Sequence, residues 1–125
     1  MIAPRHDACP AYAVSIFIAG DAKVAKMACR EFCDKEGLCV TVTPTSYVYT
    51  NGEEDGVIVG LINYPRFPAE AGQIYATANA LAERLCEVLG QQSFTVQTPD
   101  AAFWTSYREA DAPETPSNQP PPTRE

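Results

Sequence analysis

GVIVGLINYPRFP, residues 56–68, is an apolar, β-branched run that turns at Asn63 into two prolines, two aromatics and an arginine. The first half has the profile of a buried strand and is too short to cross a bilayer. The second half is a stiff loop that feeds a helix. AEAGQIYATANALAERLCEVLGQ follows, with Ile74, Ala78, Leu81 and Leu85 at i, i+4, i+7 and i+11. Pro68 suits the first turn of that helix and Gly90 its end.

Upstream, NGEEDG (51–56) is a polar turn, and LCVTVTPTSYVYT (38–50) alternates Leu38, Val40 and Val42 with Cys39, Thr41 and Thr43. The pair predicts a hairpin with a longer loop. Pro44 cannot donate to a ladder, which makes its strand an edge or a bulged one. Further upstream, AYAVSIFIAG (11–20) is a strand buried on both faces or nearly so. Asp21 is placed to cap the helix AKVAKMACREFCDKEG, with Val24, Ala28 and Phe32 on its apolar face, Met27 beside them and Gly37 as its end. Downstream, SFTVQT and AFWTSY flank a PDA turn and give one or two further strands.

The order strand, helix, strand, strand, helix, strand, with an extra strand at the end, predicts an α+β fold of the ferredoxin-like, split βαβ kind. Two helices then cover one face of an antiparallel sheet. On the bare face the expected groups are Thr41, Thr43, Tyr47, Tyr49, Phe94 and Phe103 or Trp104, more apolar surface than a solvated face needs. A homo-oligomer closing over that face is expected. Residues 1–10 (MIAPRHDACP) read as an irregular arm and 11–108 as one domain. Residues 109–125, with five prolines and no large apolar side chain, read as a disordered proline-rich tail.

The chain has 125 residues and a formal charge of −7. An acidic balance argues against nucleic acid as a partner, since phosphate neutralisation needs a basic face. The five cysteines, Cys9, Cys29, Cys33, Cys39 and Cys86, are odd in number and follow no signal-type apolar segment. They read as reduced thiols of a cytoplasmic protein without a membrane anchor.

Reaction signatures are sparse. His6 is the only histidine and lies in the arm, which disfavours a Ser-His or Cys-His pair. Cys29 and Cys33 are one helical turn apart with Cys39 near in sequence, but short knuckle spacings are lacking, so small buried thiols are expected rather than a metal site. Glu53, Glu54 and Asp55 read as a solvated turn, and Gly52, Gly56 and Gly60 lack the strand-to-helix context of a phosphate loop. Neither catalysis nor a cofactor is expected.

The candidate site is therefore the loop itself. Asn63, Tyr64, Arg66 and Phe67 stand before a helix N-terminus, where backbone N–H groups favour anions. Arg66 supplies a bidentate donor and the aromatics a face for a base. Tyr47 and Tyr49, on the paired strand, are expected to join them. The plainer alternative has Tyr64 and Phe67 plugging the core while Arg66 points to water.

The stretch GLCVTVTPTSYVYTNGEEDGVIVGLINYPRFP (37–68), with REFC before it, resembles small uncharacterised proteins encoded by bacteriophages and prophages of Gram-negative bacteria. The resemblance spans residues 14–104 and implies a phage accessory protein acting on host physiology or defence in the host cytosol. It brings no activity to any position. Together with the loop, it predicts a non-catalytic counter-defence protein that sequesters a small anionic, nucleotide-type ligand. The alternative is an inhibitor that binds a host protein through its acidic surface or sheet face.

Overall fold

The computed structural model describes residues 2–113. Its elements run β1 (Ala13–Ala19), α1 (Ala22–Glu36), β2 (Thr41–Tyr49), β3 (Gly52–Ile62), α2 (Ala71–Val88), β4 (Ser93–Gln97) and β5 (Ala102–Ser106), followed by a single 3-10 turn at Glu109–Asp111. The strands form one antiparallel sheet in the order β2-β3-β1-β4-β5. The first four strands have the ferredoxin-like arrangement, and β5 extends it through a hairpin with β4. Both helices pack on one face.

Register places the core. Val42 pairs with Val59, Val59 with Ile16, Ile16 with Val96 and Val96 with Phe103, one row across all five strands on the helix side. Val14, Ile18, Val57 and Leu61 extend that layer, and Ile74, Ala78, Leu81 and Leu85 of α2 close over it. Each fully buried Val, Ile or Leu contributes about 1.5–3 kcal/mol.

Asp21 caps α1 as its position predicts, its carboxylate accepting from the backbone N–H of Lys23 and Val24 at 2.8 and 3.1 Å. Gly37 ends the helix at φ 72°. The buried stripe, however, is Ala25, Ala28 and Cys29, with Val24 and Met27 turned to solvent. Small side chains on this stripe let α1 lie close to the sheet, where Val24 and Met27 would hold it off.

The hairpin also departs from expectation. β2 ends at Tyr49 and β3 begins at Gly52, so the connection is two residues long, and Asn51 takes the left-handed conformation (φ 65°) that a tight turn requires. Glu53, Glu54 and Asp55 consequently lie in β3, opposite Val48, Tyr47 and Ser46. Pro44 is accommodated without a break because β2 is the sheet edge. Pro68 precedes α2 rather than joining its first turn.

Residues 2–12 adopt neither helix nor strand. Of the expected tail, Asp111 is tied back by Ser106 Oγ at 2.6 Å and by Arg108 at 3.4 Å, while residues 114–125 lie outside the described residues. No helix of the described residues is long and apolar enough to cross a membrane.

Candidate functional site

Asn63 terminates β3 as a buried polar hub, 9% exposed. Its Nδ2 donates to the Pro10 carbonyl at 2.8 Å and its Oδ1 accepts from the Ala69 N–H at 2.9 Å. Its backbone N–H donates to the Tyr12 carbonyl at 2.8 Å, and its own carbonyl accepts from the Cys9 thiol at 3.5 Å. The side chain is thus spent on structure: it binds the N-terminal arm to the end of the sheet and to the approach of α2. Asn63 positions the loop.

Tyr64 to Phe67 form a turn closed by the Phe67 N–H on the Tyr64 carbonyl at 2.8 Å, with Pro65 in the position whose φ proline pre-sets. Arg66 stands at the tip, its guanidinium 5.4 Å from the centre of the Phe67 ring. Phe67 is 73% exposed. Tyr64 is half-buried, and its hydroxyl donates to Cys39 Sγ at 3.4 Å.

Between this loop, the end of α1 and the first turns of α2 lies a cleft of about 770 Å³. Leu38, Leu61, Ile62 and Ile74 give its lining apolar groups, Cys33 and Cys39 thiols, and Tyr64, Arg66 and Phe67 the loop's own side chains, with Glu36 also on the lining. The contact with Cys39, then burial, pushes the Tyr64 phenol up to about 12, so it is a neutral donor at physiological pH. Burial and the neighbouring Cys39 raise the Cys33 thiol, partly offset by the Val40 N–H. A thiol held protonated is a weak nucleophile. Among the described residues no group of three or more His, Cys, Asp or Glu is placed to hold a metal ion.

Tyr47 and Tyr49 do not join the loop. Tyr47 pairs with Glu54, nine residues along β3 from Asn63, or roughly 30 Å at the rise of a strand. Both tyrosines also occupy the sheet face opposite the helices. The Tyr47 ring lies across Gly56, where any Cβ would collide with it, and its hydroxyl donates to the Val57 carbonyl at 2.6 Å. Burial raises this phenol too. With Phe17, Glu54, Trp104 and Arg108, Tyr47 borders a separate hollow of about 200 Å³. Thr41, Thr43, Tyr49 and Trp104 share the face by register, whereas Phe94 is buried under the helices and Phe103 stacks on Tyr75 of α2 at 5.2 Å.

Sequence reasoning did not bring Leu38, Cys39 or Arg5 to the loop. The first two were readable from register: once Asn51 fixes the turn, Thr41 faces Gly60, and stepping two residues outward brings Cys39 opposite Ile62.

No protein-family model matches the chain, and no curated protein matches it. Two solved structures share its fold. A phage SAM lyase in the apo state superposes with a TM-score of 0.59 at 15% identity, covering 76% of this chain and 88% of that one. A phage SAM lyase in complex with S-methyl-5'-thioadenosine superposes with a TM-score of 0.59 at 11% identity, covering 82% and 94%. These identities establish likeness of fold. Both of these neighbours are lyases, a finding that stands against the expectation of a non-catalytic protein, which rested on the missing histidine pairs.

Proposed function

We propose that this protein is a phage-encoded lyase acting on S-adenosylmethionine, with the nucleoside held in the cleft beside Tyr64, Arg66 and Phe67. The observation that carries this reading is the fold, which the chain has in common over 82% of its length with a lyase solved around S-methyl-5'-thioadenosine. The cleft supports it, since 770 Å³ is within the range of small-molecule sites and its walls are apolar with a few polar groups. Phe67 offers a face for adenine, Glu36 a carboxylate for ribose hydroxyls, and Tyr64, whose O–H is held by Cys39, its phenol oxygen as an acceptor.

The chemistry suits a site without a catalytic histidine. S-methyl-5'-thioadenosine is what remains when the bond from the sulfonium sulfur to the amino-acid side chain breaks and its electron pair stays on sulfur. The leaving group departs neutral and needs no acid. The carbon left behind is satisfied from within the substrate, by attack of the substrate's own carboxylate on it, which closes a ring and releases no proton, or by loss of a neighbouring proton to water at the cleft mouth. An apolar cleft strips water from the sulfonium, and bond breaking discharges it, so desolvation favours the transition state over the bound substrate. Removing the cell's methyl donor is a counter-defence by depletion, in the host cytosol. A second copy closing over the exposed sheet face, where Tyr49 and Trp104 are 51% and 47% accessible, is the expected assembly.

Incubating the purified protein with S-adenosylmethionine and following S-methyl-5'-thioadenosine by liquid chromatography and mass spectrometry tests the proposal. Product growing in proportion to protein is expected. Intact substrate, together with no calorimetric binding of S-methyl-5'-thioadenosine, overturns it.

A further inference from the structure

The nucleoside cleft does not end at Arg66. A second hollow, of about 460 Å³, is lined by Arg5, Asp7, Pro65 and Arg66, so Pro65 and Arg66 are shared by the two. One compartment is apolar with aromatic walls and the other is charged. Arg5 and Asp7 come from the N-terminal arm, which Asn63 holds in place through Pro10 and Tyr12. The same asparagine that ends β3 thus brings the arm's charges to the loop's arginine.

Asp7 is engaged by Arg5 through two contacts, Nε to Oδ1 at 3.2 Å and Nη2 to Oδ2 at 2.9 Å. Those contacts use one edge of the Arg5 guanidinium and hold it in place, while its Nη1 makes no such contact among the described residues and stays available to a ligand. Arg66 makes no ion pair among the described residues and leaves the hollow with one uncompensated positive charge, presented as a planar fork. A planar fork matches a carboxylate in two parallel hydrogen bonds.

We propose that Arg66 and Arg5 form a subsite for the α-carboxylate of the substrate's amino-acid end, with Asp7 orienting Arg5, so that the N-terminal arm is a specificity element of the site. This deepens the lyase reading above and presupposes it. A ligand that spans both compartments carries an aromatic nucleoside at one end and a carboxylate at the other. Anchoring the carboxylate at the mouth also fixes the chain between it and the sulfur, the part in which the bond breaks.

Calorimetry with three non-cleavable probes tests the subsite: S-adenosylhomocysteine, its decarboxylated analogue, and S-methyl-5'-thioadenosine. The parent protein is expected to bind S-adenosylhomocysteine about tenfold or more tighter than the decarboxylated analogue, as charge-assisted bonds to a carboxylate imply. Arg5→Ala brings that ratio down several-fold, and Arg5→Lys, which keeps the charge and loses the fork, restores part of it. Because the Arg5 side chain is 76% exposed, neither change threatens folding. Equal binding of the two probes by the parent, with S-methyl-5'-thioadenosine still bound, overturns the subsite and leaves the nucleoside cleft standing. An Arg5→Ala ratio equal to the parent's removes the arm from it. Binding of none of the three overturns the nucleoside reading itself, and the subsite with it.

Discussion

The hydroxyl of Tyr64 donates to the sulfur of Cys39 across 3.4 Å, joining the loop after β3 to the link between α1 and β2. This contact ties an aromatic side chain of the cleft lining to one of its thiols. Tyr64→Phe keeps the ring and removes the bond. Its phenol is raised in the fold, so the folded state keeps a proton that the unfolded chain releases. The associated stability is complete below pH about 10 and is lost as pH rises toward about 12. In an ultraviolet titration the phenolate absorbance that appears last is expected to be missing from Tyr64→Phe, and the alkaline fall in stability between those limits to be shallower.

Phe67→Ala tests the face offered to adenine. Stacking on an aromatic is worth about 1–3 kcal/mol per base, so a loss of roughly tenfold in affinity for S-methyl-5'-thioadenosine is expected by calorimetry. Phe67 is largely exposed, and the melting temperature should move little. Unchanged affinity would place the nucleoside elsewhere.

Asn63→Ala removes the partners of the Pro10 carbonyl and the Ala69 N–H together. Leaving buried polar groups unpaired costs about 1–3 kcal/mol each, and a total near 2–4 kcal/mol is expected by urea unfolding. Limited proteolysis should cut the arm before Tyr12 in the variant at protease levels that spare the parent.

Two glycines make a controlled pair. A Cβ on Gly56 meets the Tyr47 ring and the Ile18 carbonyl, so Gly56→Ala should destabilise by about 1–3 kcal/mol through overpacking. A Cβ on Gly72, inside α2, meets nothing within 4 Å, and Gly72→Ala should stabilise by up to about 1 kcal/mol. Thermal melts of both variants check the contrast in sign.

The double change Tyr49→Glu, Trp104→Glu places charge on the open sheet face. If a second copy covers that face, light scattering after gel filtration should report a smaller particle with unchanged helix content by circular dichroism.

Element order was legible because the chain switches cleanly between apolar, β-branched runs in 11–20 and 56–62 and a helix period in 71–88. The helix-covered row from Val42 to Val96 was not, since unbroken apolar runs read as buried on both faces and only pairing register shows that Val14, Ile16 and Ile18 face the helices. Legibility failed where a decision depends on contacts across space. α1 shows its small residues to the sheet, which a count of large apolar residues at steps of four does not detect. The sequence suggests Tyr47 and Tyr49 for the loop because their strand pairs with the one that leads into it. Antiparallel pairing carries them to the far end, while the same pairing brings Cys39 to Tyr64. Arg5 carries no local signal at all, since its place depends on hydrogen bonds that Asn63 donates to the carbonyls of Pro10 and Tyr12.

Tyr47 lying flat over Gly56, with its hydroxyl fixed on the Val57 carbonyl, has already given up its rotamer freedom in the isolated chain. Whatever docks against that side of the sheet, a second copy included, meets a ring that need not be immobilised. Association there is relieved of the ordering cost, about 0.5–1.5 kcal/mol, that a freely rotating side chain would impose. A weak contact area at this ring can therefore hold a complex that the same area lined by mobile side chains could not.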